Sequence, residues 1–296
     1  MGEGLAMLRY IIIGVLVLLA SGAAIWFLVP PLTLFNAIVP KDAGSALVAS
    51  DRSFGSDPRQ SLDVYAPTRA GAGDRLPVIV FVHGGGWRDG NREGYRWAGR
   101  AFAAQGFVAI VTGYRLSPQV HFPDFVVDVA EAVRWTRAHA ADHGGDPGRI
   151  VLVGHSAGAH IAAMLALDPQ WLGEDRAAIA GWVGMSGPYD FLPLDTPATI
   201  GAFGRVEEPE ETQPVNHVSE GDPPALLLHG SEDTVVRPRQ STNMERLLKQ
   251  AGVFAEARLY EGAGHINIMT AVSRWGRGSY PTLRDVAEFT REVAGR

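Results

Sequence analysis

In the run VLVGHSAGAHIAAML (residues 151–165), one hydroxyl, Ser156, lies between Gly154 and Gly158 where an apolar strand-like stretch gives way to a small-residue helical one. A turn this tight drives its central residue toward positive φ. A strand and helix packed that closely leave no room for a Cβ at the flanking positions, which accounts for both glycines. The hydroxyl would then stand clear of the sheet at a helix N-terminus, whose unpaired N–H groups favour a negatively charged oxygen. Serine is a poor nucleophile at neutral pH and needs a base, which in turn needs an orienting carboxylate. Of the nine histidines, His265 in EGAGHINIM follows the last strand-like stretch in a glycine-flanked loop. Asp233, in LLLHGSEDTVV, follows the stretch before that, with Glu232 beside it as the rival acid. Loops that follow parallel strands converge on one edge of the sheet, so Ser156, Asp233 and His265 are expected to meet there as nucleophile, acid and base.

Attack on a carbonyl creates an oxyanion that needs preset donors. The segment HGGGW (residues 83–87) ends an apolar run, and the backbone N–H groups of Gly84, Gly85 and Gly86, two of which would suffice, are expected to form that hole with Ala157. An ordinary glycine turn is the competing reading. Trp87, Phe122, Tyr189 and Phe191 fall near the strand ends that should frame a cleft, as substrate-lining side chains or as core. His83 is expected to orient the glycine loop, and His155 and His160 to pack beside the serine turn. His139 and His143 stand four apart on a helical stretch, as zinc ligands can. No third ligand is evident, and Arg137 and Asp142 mark a solvated face, so no metal is expected.

These residues need a scaffold of strands alternating with helices. Strands are expected at residues 61–67, 77–87, 107–115 and 150–154 and from Gly181, Ala225 and Ala255. Helices are expected at 92–105, 122–145, 157–167, 239–250 and 283–293. Continuous apolar strands separated by helices predict an α/β fold, a mostly parallel central sheet covered by helices on both faces. The only long connection inside this region, residues 188–224, is rich in proline and acidic residues and is placed to cover a cleft.

The 296 residues, 46% hydrophobic, suffice for one large domain. A net charge of −6 without a basic run argues against nucleic-acid binding. The acidic stretch RVEEPEE (residues 205–211) reads as a solvated loop. The absence of cysteine excludes disulfides, thiol catalysis and thiolate metal sites.

Residues 10–29 form 20 consecutive positions without a charge, about 30 Å as a helix and so enough to span a hydrocarbon core. The expected organisation is a membrane anchor or signal segment with its tether over residues 1–40, followed by a catalytic domain over residues 41–296. A cleaved signal is the alternative, although residues 25–29 continue the apolar run past the small-residue exit. The nine-residue tail weakly favours an inside N-terminus, placing the domain on the periplasmic or extracellular side.

HGGGW, GYRLSP (residues 113–118), DPGRIVLVGHSAGAH, HGSEDTVV and GAGH together resemble the α/β-hydrolase superfamily. The closer likeness is to carboxylesterases of the hormone-sensitive-lipase and feruloyl-esterase-like (BD-FAE) type, over residues 53–293. The resemblance implies an α/β-hydrolase fold and a serine hydrolase with a Ser-Asp-His triad at Ser156, Asp233 and His265. It also implies an oxyanion hole from Gly84 to Gly86 with Ala157, no metal or organic cofactor, and a small-molecule ester as substrate. An amidase or formamidase of the kynurenine type, or a peptidase, shares the same chemistry, and a non-catalytic scaffold is the remaining alternative. The chain departs from hormone-sensitive-lipase relatives in lacking an extended N-terminal helical cap, which implies a more open cleft.

Overall fold

Apolar residues that continue without a polar break form strands buried on both faces. In β3 (Leu76–Val82), β4 (Val108–Thr112), β5 (Gly145–His155), β6 (Ile179–Met185) and β7 (Ala225–Gly230), the central side chains are wholly removed from solvent. Each buried valine, leucine or isoleucine contributes about 1.5–3 kcal/mol relative to exposure. With β1 (Ser45–Ser53), β2 (Ser61–Pro67) and β8 (Ala255–Tyr260) they form one eight-stranded sheet in the order β1-β2-β4-β3-β5-β6-β7-β8. β1 and β2 run antiparallel to their neighbours, and every pairing from β4 through β3 to β8 is parallel. The carboxyl ends of β3, β5, β7 and β8 therefore share one edge.

This computed structural model describes residues 30–71 and 73–295. The chain divides into two units, Met1–Ile38 and Val39–Arg296. In the first, helix α1 spans Pro31–Ile38. The expected anchor over residues 10–29 lies outside the described residues, and among those described no helix is long and apolar enough to cross a membrane. In the second unit the helices are α2 (Arg96–Ala104), α3 (Asp124–His139), α4 (Ala157–Leu167), α5 (Pro197–Phe203), α6 (Arg239–Gln250), α7 (His265–Thr270) and α8 (Thr282–Ala294).

Two expectations change. The first strand is expected at residues 61–67, yet β1 precedes it at Ser45–Ser53. Only Ser45 and Ala49 of β1 are buried, and bulges interrupt its register on either side of Ala49. Backbone pairing holds this edge strand, so no apolar alternation announces it. The single helix expected over residues 92–105 is a 3-10 turn, Arg92–Tyr95, followed by α2. Asn91 caps the turn by accepting the N–H of Gly94 at 2.8 Å.

Helix α4 is buried on every side, as a helix apolar all round must be. Its small residues let it lie directly on the sheet. A Cβ placed on Gly158 would stand 2.1 Å from the carbonyl oxygen of Val82, and one on Gly154 would stand 2.2 Å from the carbonyl oxygen of Gly158. Both obstacles are backbone, which cannot swing aside. Gly158→Ala should therefore destabilise the protein by about 2–3 kcal/mol or more, read as a fall in the urea midpoint. Gly278→Ala, with nothing within 4 Å of its new methyl, should change stability by less than about 0.5 kcal/mol.

Candidate active site

The close crossing of α4 leaves Ser156 as the single residue joining β5 to the helix. It adopts φ 54° and ψ −121°, a conformation costing a non-glycine residue on the order of 1–3 kcal/mol. Its N–H donates to Met185 O at 2.8 Å, which pins the turn to the end of β6. The side chain is half-buried and borders a cleft of about 580 Å³.

Beyond β7, Asp233 is buried and its carboxylate receives four donors. Oδ1 accepts the backbone N–H groups of Val235 and Val236, each at 2.9 Å. Oδ2 accepts His265 Nδ1 at 2.7 Å and lies 3.2 Å from His229 Nε2. Burial alone would raise this carboxyl. The hydrogen bonds from His229, His265 and Val236 outweigh it and hold Asp233 well below the usual carboxylate range. The aspartate is thus an anion locked in rotation, and because it accepts from Nδ1 it leaves Nε2 of His265 as the free nitrogen. The neighbouring Glu232 is exposed, and it is Asp233 whose carboxylate bonds His265.

His265 opens α7 just after β8. His155, the residue before Ser156, donates from Nε2 to the His265 carbonyl at 3.2 Å, and the two rings lie 5.0 Å apart. The serine turn and the histidine are therefore tied across the same sheet edge. In this conformation Ser156 Oγ and the His265 imidazole make no hydrogen bond, a contact that in free enzymes often tightens only with substrate present.

The glycine loop leaves the end of β3 beside the serine. A Cβ on Gly84 would come within 3.1 Å of Ser156 Cβ and 2.9 Å of the His155 carbonyl oxygen. Gly85, at φ 130°, would press a Cβ to 2.0 Å from Asp89 O, and its own carbonyl accepts the N–H groups of Arg88 and Asp89. The N–H groups of Gly85 and Gly86 have no acceptor among the described residues. His83 orients the loop as expected, bonding through Nδ1 to Gly84 O at 2.8 Å and stacking on Tyr114 at 4.4 Å. Tyr114, from the GYRLSP segment, donates its hydroxyl to His83 O at 2.9 Å. The next residue, Arg115, is tied to buried Asp128 of α3 at 2.7 Å.

Of the four aromatic residues expected at the cleft, Trp87 and Phe191 border it and two do not. Tyr189 is wholly buried, with its ring 5.8 Å from Trp182. Phe122 packs behind the wall against Phe203 and Trp171, at 5.7 and 5.8 Å. Both follow strand ends in sequence, but the chain turns them inward before it reaches the cleft. The residue 188–224 connection does supply one wall through Pro188, Phe191, Leu192 and α5, and Val235 supplies the other. Nothing in the local sequence pattern distinguishes Val235 from a buried valine, yet it is 71% exposed. His229 is not among the residues expected from sequence, although a polar residue inside the apolar run ALLLHG, four before the aspartate, is a signal for it. His139 stacks on Trp135 at 4.3 Å and bonds its carbonyl at 2.8 Å, a packing role.

Burial pushes three imidazoles near the site down from 6.5: His83 to about 4, His155 to about 3 and His160 to about 4. His160 is neutral with its proton on Nε2, donating to Thr212 O at 2.8 Å while Nδ1 accepts from Trp87 Nε1 at 3.3 Å. Between pH 6.5 and about 4 the unfolded chain binds protons that the folded chain refuses, so stability rises with pH there and falls on acidification. The melting temperature should drop through this window. His160→Gln, which keeps a donor for Thr212, should reduce the slope by about one proton; an unchanged slope would contradict the neutral assignment.

The chain is similar to known proteins. The BD-FAE family model matches residues 62–248. Esterase LipC of Mycobacterium tuberculosis is 32% identical over 267 residues, covering 81% of this chain and 64% of the relative. Isoprenylcysteine alpha-carbonyl methylesterase ICME of Arabidopsis thaliana is 31% identical over 240 residues, covering 73% and 56%. The chain thus spans about half to two thirds of the length of the curated relatives it matches. Among solved structures, Thermogutta terrifontis esterase 2 phosphonylated by sarin superposes with a TM-score of 0.70 at 26% identity, covering 86% of this chain and 96% of that one. With its mostly parallel sheet, its glycine loop and a family match over residues 62–248, the chain has the α/β-hydrolase fold and belongs to the BD-FAE family.

Proposed function

We propose that this protein is a serine carboxylesterase that works through an acyl-enzyme. Ser156 attacks the ester carbonyl carbon as His265 Nε2 takes its proton. The C–O bond to the alcohol breaks as the imidazolium returns that proton to the leaving oxygen, and water repeats the sequence to release the acid. Asp233 holds the imidazole in the correct tautomer and stabilises its positive charge. The N–H groups of Ala157, at the start of α4, and of Gly85 and Gly86 receive the oxyanion. Each such donor is worth about 2.7–4 kcal/mol where it has been removed from other enzymes.

The observation that carries this reading is the strained serine at the mouth of a cleft whose sheet edge also holds a buried, anion-oriented histidine. Esterases among the relatives and structural neighbours favour an ester over the amide or peptide alternatives. A cleft of about 580 Å³ bordered by Trp87, Phe191 and Val235 suits a short-chain or small aromatic acyl group. The uncharged stretch over residues 10–29 supports tethering to a membrane, with the catalytic domain on the periplasmic or extracellular side.

Ser156→Ala should lower turnover of p-nitrophenyl acetate by at least about 1,000-fold and abolish labelling by a fluorophosphonate probe. Substantial turnover in that variant would refute the assignment. Faster hydrolysis of matched anilides than of esters by the wild type would favour the amidase alternative.

A further inference from the structure

Asp233 has a second imidazole on the same oxygen that serves His265. His229 is the penultimate residue of β7, just before Gly230, and its side chain is completely buried. Its Nε2 faces two acceptors, Val236 O at 2.9 Å and Asp233 Oδ2 at 3.2 Å. Because neither oxygen can donate, Nε2 carries the hydrogen and shares it between them. Nδ1 lies 2.8 Å from the hydroxyl of Ser241, a fully buried residue of α6. The Ser241 hydroxyl is thus the hydrogen-bond partner of Nδ1. This produces a chain in which Ser241 is bonded to His229, His229 donates to Asp233, and His265 donates to Asp233 from the other side.

We infer that His229, fixed by Ser241, is a positioning residue for the catalytic acid; this rests on the triad reading given above. The two backbone donors from Val235 and Val236 occupy Oδ1 and define only one end of the carboxylate. Without His229, Oδ2 keeps a single partner, and the group can rotate about its χ2 so that the oxygen slides away from the imidazole. The Val236 carbonyl that His229 also holds belongs to the loop carrying both Oδ1 donors, so one imidazole ties the loop and the carboxylate together. His229 does not border the cleft, so its loss should leave substrate binding unaffected and slow the proton-transfer steps.

The test is steady-state turnover of p-nitrophenyl acetate by the full chain. His229→Ala should lower kcat by about 10- to 100-fold, the range seen when outer-shell partners are removed from metal sites, with KM within about twofold. His229→Gln, whose amide N–H can reach the position of Nε2, should recover kcat to within about fivefold of wild type, and Ser241→Ala should give a smaller loss than His229→Ala. In an Asp233→Asn background His229→Ala should cost nothing further, because its effect passes through that carboxylate. If His229→Ala fails to fold, the glutamine and Ser241 variants and the double substitution His229→Gln/Asp233→Asn carry the same comparison. A wild-type kcat in His229→Ala, or full additivity with Asp233→Asn, would overturn the inference. Turnover surviving Ser156→Ala would overturn the triad reading and this inference with it; an inactive Ser156→Ala beside unaffected His229 variants would overturn this inference alone.

Discussion

The site depends on how closely helix α4 lies on strands β3 and β5. With only hydrogens at Gly154 and Gly158, the helix descends until its backbone touches that of Val82. One residue is then left to reverse the chain, and Ser156 absorbs the reversal in a conformation that non-glycine residues avoid. The sheet and the fully buried α4 bear that strain. In return the side chain is held at the rim of the sheet, with the first free N–H groups of a helix behind it. A larger residue at 154 or 158 would lift the helix, relax the turn and withdraw the hydroxyl from the rim.

The parallel arrangement does the remaining assembly. β3, β5, β7 and β8 end on the same edge, so the glycine loop, the serine, the aspartate and the histidine converge although up to 181 positions separate them in the chain, from Gly84 to His265. Rigidity at this edge comes from polar contacts made within the fold. Asp233 receives four donors, His83 and Tyr114 brace the glycine loop, and His155 links the serine turn to His265. Buried hydrogen bonds of this kind fix geometry, because the low local dielectric makes breaking them costly. Preset geometry of this kind is what a developing oxyanion and a travelling proton require.

Much of this could be read from the amino acids because the signals were local and backbone-driven. Glycines flanking Ser156 report a close approach, and continuous valine-isoleucine runs report two-faced burial. Loops after parallel strands have only one edge to reach, so Asp233 and His265 could be placed together without coordinates. What stayed hidden depended on tertiary packing. β1 has two buried side chains and is held by its backbone, so no periodicity marks it. Tyr189 and Phe122 are indistinguishable in sequence from Trp87 and Phe191, and only the path of the chain decides which pair borders the cleft. His229 is visible as a polar residue in an apolar strand, but sequence pattern alone does not show that one carboxylate four residues later accepts from two histidines.

The most direct measurement is a crystal structure of the protein after reaction with a p-nitrophenyl phosphonate. The account predicts phosphorus bonded to Ser156 Oγ, the phosphoryl oxygen within hydrogen-bonding distance of the N–H of Ala157 and of Gly85 or Gly86, and the His265 imidazole turned toward the adduct. Phosphorus on a different residue, or a phosphoryl oxygen pointing away from both the glycine loop and α4, would contradict it.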